Sequence, residues 1–172
     1  MPLESLDGLF LNELKDVYNA EKLILRALPR MAKAANADAL RDAFTRHLRE
    51  TEGHVQRLEQ IFGSLGQAAR GKKCKGMEGI IEEGKEILEE DGAPEVIDTA
   101  LIAAAQRVEH YEIAAYGCLR TYAQLLGYDD AAGLLQQTLR EEEATDKKLT
   151  ELGEGGINQA AVAAGGMEEE EE

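Results

Sequence analysis

Residues 6–28 read LDGLFLNELKDVYNAEKLILRAL, and their apolar side chains recur at every third or fourth position. This spacing is typical of a helix that turns one face towards a protein core. The positions on that face are Leu6, Phe10, Leu14, Val17, Glu21, Ile24, Leu25 and Leu28. Glu21 is unusual among them, because an unpaired carboxylate is costly to bury. We expect its side chain to be protonated, paired with a cation or bound to a metal ion.

Four long segments of the chain have the apolar periodicity of core-facing helices. They are predicted at about residues 3–35, 38–62, 94–126 and 129–152. Pro29 lies inside the first segment, where the helix either kinks or continues as a separate turn. Asp38 is a plausible N-cap of the second segment. Because short connections join the first two segments and the last two, each pair is predicted to form an antiparallel hairpin.

The connection between the two hairpins is much longer. Residues 63–76 are rich in glycine and lysine, a short amphipathic helical segment follows, and residues 91–94 read DGAP, which ends it. A connection of this length crosses from one end of a bundle to the other, so the second and third segments are predicted to run parallel. Two hairpins joined by one crossover predict an all-α four-helix bundle at residues 1–155. Residues 156–172 are predicted to form a disordered acidic tail.

The chain is strongly acidic, with 34 Asp and Glu residues against 19 Lys and Arg residues and a net charge of −15. Without the five glutamates at residues 168–172 the net charge is still −10. Such a surface argues against binding to nucleic acid or to an anionic membrane. No run approaches the roughly 18 apolar residues of a membrane span, and Cys74 and Cys118 have no disulfide or zinc-site spacing. We therefore expect a cytoplasmic protein.

The other three long segments also carry acidic or imidazole groups on or beside their apolar faces. These groups are His47, Glu50 and His54 in the second segment, Glu109 and Glu112 in the third, and Glu142 and Asp146 in the fourth. Carboxylate oxygens combined with imidazole suit iron or manganese. Two ions bridged by shared carboxylates would neutralise acids that cannot otherwise all be ionised together.

Taken singly, these residues have simpler interpretations. Either histidine alone is compatible with a satisfied core position, and Glu50, Glu109 and Asp146 are compatible with ion-paired positions on a helix flank. The coincidence across helices favours a metal site, because Glu21, Glu112 and Glu142 all interrupt apolar faces. No lysine or arginine occupies a matching inward position that would pair with them.

Four stretches together resemble the ferritin-like di-metal carboxylate superfamily, and more narrowly the YciF-type bacterial stress-protein family. They read LKDVYNAE at residues 14–21, HLRETEGHVQRLE at 47–59, AAQRVEHYEIA at 104–114 and TLREEEATD at 138–146. The resemblance covers about residues 3–152 and implies a ferritin-like bundle with two iron or manganese ions. The implied metal ligands are Glu21, Glu50, His54, Glu109, Glu112, Glu142 and Asp146.

The second and fourth segments depart from the superfamily pattern. The pattern Glu-x-x-His places the two ligands three residues apart, whereas Glu50 and His54 are four apart and Thr51 occupies the expected position. Either a local distortion of the helix absorbs this shift, or only one of the two residues binds metal. Asp146 stands where rubrerythrins have a histidine.

The resemblance implies a stress-response protein whose metal pair reacts with dioxygen or hydrogen peroxide. The expected activity is the oxidation of Fe(II) or the removal of peroxide, as in a ferroxidase or a peroxidase. A homodimer is the expected assembly. The alternative is a non-catalytic, stress-induced helical binding or scaffold protein with a degenerate metal site.

Overall fold

The structure, a computed structural model, describes residues 4–167, and these residues form helices and no strands. The helices are α1 (Leu6–Ala34), α2 (Asp38–Ser64), α3 (Lys75–Glu89), α4 (Pro94–Leu125), α5 (Asp129–Leu152) and α6 (Asn158–Met167), with a π-helical turn at Gly153–Ile157. The all-α prediction is therefore confirmed. Within the described range, no helix is long and apolar enough to cross a membrane.

The first helix is continuous, and Pro29 lies inside it. Its N-terminus is capped by Ser5, whose side chain accepts a hydrogen bond from the backbone N–H of Gly8 at 3.0 Å. The expectation that Asp38 caps α2 is wrong, because Asp38 is the first residue of that helix and its carboxylate pairs with Arg41 at 2.6 Å. The backbone N–H groups before α2 are satisfied from another helix instead.

That partner is Asp98 of α4, which is buried. Its two carboxylate oxygens accept hydrogen bonds from the backbone N–H groups of Asn36 and Ala37, each at 2.7 Å. We predict that Asp98→Ala destabilises the protein by about 1–3 kcal/mol, because two backbone N–H groups lose the buried carboxylate that accepts their hydrogen bonds. Urea unfolding monitored by circular dichroism measures this change. Asp42→Ala, at an exposed position of α2, is the control, and equal effects of the two variants would contradict the prediction.

The four long helices pack as α1 on α2, α2 on α5, α5 on α4 and α4 on α1. The start of α4 lies beside the α1–α2 connection through Asp98, and the turn before α5 lies beside the start of α1 through Tyr128, which donates to Asp7 at 2.6 Å. Helices α1 and α4 are therefore antiparallel, and α2 and α4 run parallel.

The interior contains two apolar clusters that are separated by polar side chains. The first cluster includes Phe10, Leu14, Val17, Leu58, Phe62, Leu119 and Leu135. The second includes Ile24, Leu28, Phe44, Met77, Leu101, Ala105 and Leu149. Between them lies a polar layer formed by Glu21, His47, Thr51, His54, Glu109, Glu112, Glu142 and Thr145, all of which are buried. The two clusters shield this layer from solvent at both ends of the helices.

The crossover forms hydrogen bonds with α1 and α4 at the point where α3 begins. The backbone N–H of Cys74 donates to the side chain of Asn19 at 2.8 Å. The Cys74 thiol lies 3.1 Å from a carboxylate oxygen of Asp16 and 3.0 Å from the Tyr111 hydroxyl, which itself donates to Asp16 at 2.6 Å. Gly71 allows this approach, because a Cβ at that position would lie 2.9 Å from Asn19. These contacts hold α3 along the side of α1 and α4.

The C-terminal segment differs from the prediction of a disordered tail. Residues 158–167 form α6, which packs against α4. Ile157, Ala161 and Ala164 are half-buried and recur at helical spacing, so the segment has a narrow apolar face to cover. The predicted disorder is therefore wrong for residues 158–167, and the five-glutamate end of the predicted tail lies outside the described residues.

Candidate metal centre

The larger of two groups of ligand-type side chains brings together His47, Glu109, Glu112 and Glu142, from α2, α4 and α5. All four are buried, and one ligand atom from each lies within 4.8 Å of the others. The Nε2 atom of His47 is 3.2 Å from Glu109 Oε1 and 3.7 Å from Glu142 Oε2. Three carboxylates and one imidazole therefore converge on a single point.

The smaller group contains Glu21, His54 and Glu142, which are also buried. The Nδ1 atom of His54 lies 3.4 Å from Glu21 Oε1 and 3.0 Å from Glu142 Oε1. Glu142 thus belongs to both groups and turns a different oxygen to each histidine. This arrangement suits a carboxylate that bridges two cations.

Many atoms that face these two groups have no hydrogen-bond partner among the described residues. They are Glu21 Oε2, His47 Nε2, His54 Nδ1, Glu109 Oε2, Glu112 Oε1 and both carboxylate oxygens of Glu142. Although His54 Nδ1 and Glu142 Oε1 are close, their geometry is not that of a hydrogen bond. Buried polar atoms are normally satisfied, so unpartnered ligand atoms that converge on two points fit a pair of metal ions.

A second layer of side chains fixes the orientation of His54. Its Nε2 atom is 2.9 Å from Glu141 Oε2, and the guanidinium of Arg57 donates to both oxygens of Glu141 at 2.7 and 2.8 Å. An imidazole that donates Nε2–H to Glu141 keeps the lone pair of Nδ1 directed at Glu21 and Glu142. Carboxylates support metal-binding histidines in this way.

His47 is oriented through its other ring nitrogen, Nδ1. Its Nδ1 atom lies 3.2 Å from the Thr145 hydroxyl and 3.6 Å from Glu50 Oε2, so Nε2 faces Glu109 and Glu142. Glu50 also lies 3.5 Å from Arg46 Nε and is partly exposed. Its position is therefore that of a support for His47.

The Tyr116 side chain completes the layer next to Glu21. The ring is fully buried, and the hydroxyl donates a hydrogen bond to Glu21 Oε1. Burial and the charges of Glu21 and Glu112 hold the pKa of Tyr116 well above its usual value. Tyr116 therefore remains a hydrogen-bond donor that orients Glu21.

The pKa values of Glu112, Glu142 and the two imidazoles are strongly shifted. Burial raises the pKa of Glu142 to about 8, although the contact to His54 opposes this change. Burial, together with the charges of Glu142 and Glu21, raises the pKa of Glu112 well above its usual range. Burial alone would lower the pKa of His54, but Glu142 and Glu21 outweigh it and raise the pKa to about 10. For His47, Glu109 likewise outweighs burial and raises the pKa. Protons thus balance the buried acids when no metal ion does so.

Five residues predicted as ligands come together in the polar layer, and two do not. Those that converge are Glu21, His54, Glu109, Glu112 and Glu142. Glu50 lies behind His47, and Asp146 is partly exposed, 3.2 Å from His110 Nε2. The structure does not bring either carboxylate into the two groups.

Sequence reasoning grouped His47 with the acidic and imidazole side chains but did not name it as a ligand, and it did not assign Tyr116 to the site. The signal for His47 is its spacing, because His47, Thr51 and His54 lie four and then three residues apart on one helical face. Thr51 is fully buried and donates to the carbonyl of His47 at 2.9 Å, so the inner face of α2 presents two histidines. Tyr116 follows Glu112 by one helical turn on α4.

Comparison with known proteins gives strong matches along most of the chain. Residues 5–162 match a family described as a domain of unknown function, DUF892. The chain is 47% identical over 162 residues to Protein YciF of Escherichia coli strain K12, which covers 94% of this chain and 98% of that protein.

Solved structures give the same result. The crystal structure of the E. coli stress protein YciF superposes with a TM-score of 0.86 at 47% identity, over 90% of this chain and 98% of the other. YcfI of Rhodopseudomonas palustris, described as a candidate structural protein, superposes with a TM-score of 0.84 at 41% identity, over 86% and 94%. A Xanthomonas campestris protein with 19% identity and a TM-score of 0.73, over 96% and 99%, shares the fold. The likeness to YciF is thus confirmed, and the chain belongs to the DUF892 family.

Proposed function

We propose that this chain is a ferritin-like four-helix bundle that binds two iron or manganese ions and uses them to oxidise Fe(II) or remove peroxide. The observation that carries the proposal is Glu142, whose two unpartnered oxygens face two different histidines in a buried layer. Ferritin-like di-metal proteins place carboxylates and histidines from four helices in this way. The description of the E. coli relative as a stress protein supports a role during stress.

The charge of the site supports two ions. The residues in the two groups are four glutamates and two histidines. Four ionised carboxylates with two neutral imidazoles carry the charge that two divalent cations would neutralise. No lysine or arginine is buried among the described residues, so metal ions or protons must supply this balance.

Each residue then has a defined role. His47, Glu109 and Glu112 would hold one ion, Glu21 and His54 would hold the other, and Glu142 would bridge them. When bound, such a pair supplies one-electron chemistry towards dioxygen or hydrogen peroxide. The protein orients the ligands through Glu141 and Tyr116, and the apolar clusters on both sides exclude bulk water.

Removal of the Glu141 carboxylate, which contacts His54 Nε2, is expected to weaken metal binding without changing the number of bound ions. We predict that Glu141→Ala lowers the affinity for Mn(II) by about 10–100-fold, the usual cost of removing an outer partner of a metal-binding histidine. Competition against a chromogenic chelator measures the affinity. Arg140→Ala, next to Glu141 on the same helix and exposed, is the control. An unchanged affinity in Glu141→Ala would show that His54 needs no such support.

Activity is tested by mixing the metal-free protein with Fe(II) in air or with hydrogen peroxide and recording the absorbance of Fe(III). The wild-type chain is expected to oxidise Fe(II) faster than protein-free buffer does, and His54→Ala is expected to lose this acceleration. Glu143→Gln, next to Glu142 but exposed, should behave as the wild type. A wild-type rate equal to that of buffer would refute the proposed activity.

The description of YcfI as a candidate structural protein favours a second possibility, in which the bound ions only stabilise the helices. The same experiment distinguishes the two, because a structural site binds Fe(II) stoichiometrically without accelerating its oxidation. We also propose that the chain acts in the cytoplasm as a homodimer, the commonest closed assembly. Sedimentation of the full chain measures this state.

A further inference from the structure

A cavity of about 270 Å³ adjoins the polar layer, and helices α1 to α5 all contribute to its walls. Its apolar walls include Ile24, Leu28, Phe44, Ile80, Ala104 and Leu149. The most buried polar side chains of its lining are His47 and Glu109, which are each only 2% exposed. An apolar cavity of about 150 Å³ holds benzene, so this one has room for roughly ten non-hydrogen atoms.

The charges around the cavity are opposite to those of the protein as a whole. The basic lining residues are Arg26, Arg30, Arg46, Lys85 and Lys148, and Glu109 is the acidic one among the described lining residues. The complete chain has 34 acidic and 19 basic residues, so this concentration of positive charge is local.

The cations differ in how far neighbouring acids already neutralise them. Arg46 lies 3.5 Å from Glu50, and Lys85 lies 2.9 Å from Glu82. Within the described part of the chain, Arg26, Arg30 and Lys148 form no ion pair. They are therefore available to a negatively charged ligand at the rim.

We propose that this cavity binds an amphipathic monocarboxylate, with the tail between the apolar walls and the carboxylate at the basic rim. Apolar walls with a few polar groups at defined places are typical of small-molecule sites. Guanidinium groups match the two oxygens of a carboxylate. A second negative group at the far end is disfavoured, because it would lie beside Glu109.

This inference goes beyond the proposed metal chemistry, since the cavity and its basic rim do not depend on a bound ion. The bound tail would end next to His47 and Glu109, beside the candidate metal ligands. Binding is therefore measured on both metal-free and Mn(II)-loaded protein. A chain that binds no carboxylate can still bind two metal ions, so either proposal can be refuted without the other.

Octanoate is a suitable probe because its size matches the roughly ten non-hydrogen atoms that the cavity accommodates. Isothermal titration calorimetry of the full chain compares octanoate with octylammonium, which has the same tail and the opposite charge. Octanoate is expected to bind at least about tenfold more tightly, the effect of one charge-assisted hydrogen bond. This comparison uses the unmodified protein and needs no variant to fold.

Two glycines of α3 provide a matched pair of variants. A Cβ at Gly84 would lie 4.0 Å from the Ala104 Cβ, so Gly84→Phe fills the cavity without a backbone clash. A Cβ at Gly79 meets nothing within 4 Å and that residue is exposed, so Gly79→Phe adds the same ring outside the cavity. Both replace glycine within one helix.

Gly84→Phe is expected to weaken octanoate binding at least about tenfold, whereas Gly79→Phe should leave it unchanged. Three results would each overturn the proposal. They are no octanoate binding to the wild-type chain, equal binding of octylammonium, and undiminished octanoate binding in a folded Gly84→Phe variant.

Discussion

Replacing Glu142 with glutamine is expected to abolish high-affinity binding of both metal ions. Glu142 Oε2 faces His47 and Glu142 Oε1 faces His54, so a single carboxylate serves both groups. Glutamine keeps the shape of the side chain but loses the negative charge and one acceptor oxygen. Because an outer partner of a ligand already costs about 10–100-fold in affinity, we expect the loss here to exceed about 100-fold for each ion.

The control for this variant is Glu143→Gln, which changes an exposed carboxylate one residue away. It should retain both ions, and circular dichroism of the metal-free proteins should be the same for the two variants. Mn(II) binding followed by equilibrium dialysis and metal analysis gives the comparison. If Glu142→Gln retained both ions at wild-type affinity, Glu142 would not be the bridging ligand.

Metal binding is expected to raise the midpoint temperature of thermal unfolding, and to raise it more at pH 8 than at pH 6. Free metal at about 1,000 times its dissociation constant stabilises a protein by about 4 kcal/mol. For a chain of this size each kcal/mol is worth about 2–4 °C, so we expect an increase of roughly 10 °C at pH 8. Differential scanning calorimetry with Mn(II) measures the midpoint.

The pH dependence follows from the raised pKa values. The pKa of Glu142 is about 8 instead of 4.5, and that of His54 is about 10 instead of 6.5. The metal-free native state therefore binds more protons than the unfolded chain, and its stability falls as pH rises through these windows. Metal ions must displace the same protons, so their affinity increases with pH.

Between pH 6 and pH 8 the midpoint of the metal-free protein should therefore decrease, while the shift caused by Mn(II) should grow. The Glu142→Gln variant serves as the control, because it lacks the titrating carboxylate and should show little shift at either pH. An Mn(II)-induced shift that is the same at both values would contradict the proton balance of the site.

Most of the fold can be predicted from the chain, because the apolar residues of its helices recur at regular spacing and the helix ends are clear. Pro94 begins α4 in its first turn, and the turn before Asp129 separates α4 from α5. The carboxylates of Glu21, Glu112 and Glu142 stand out since they occupy apolar positions. No tertiary information is needed to detect such an interruption.

In α2, the sequence alone does not show which candidate residues face the polar layer and which lie behind it. His47 and Glu50 lie three residues apart on the same flank of the helix, and this spacing allows either side chain to face the interior. The choice depends on the neighbouring helix, where Thr145 contacts His47 Nδ1 and leaves Glu50 at the edge. Asp146 has the same difficulty, because its inward position is taken by Thr145, which is buried next to it.

The C-terminal segment shows a different limit of sequence reasoning. The segment consists mainly of glycine and alanine and has few large apolar side chains, so its sequence predicts no packing against the bundle. Their small side chains nevertheless allow close packing on α4, and Ile157 packs against the second apolar cluster. A weak amphipathic pattern becomes visible only once the surface that covers it is known.

Anaerobic titration of the metal-free chain with Fe(II), followed by metal analysis, counts the ions held by the buried side chains. We expect two ions per chain in the wild-type protein and in Asp146→Asn, whose carboxylate lies outside both groups. We expect no tightly bound ion in Glu142→Gln. Absence of stoichiometric iron in the wild-type protein, or loss of both ions in Asp146→Asn with Glu142→Gln unaffected, would contradict the proposed two-ion site.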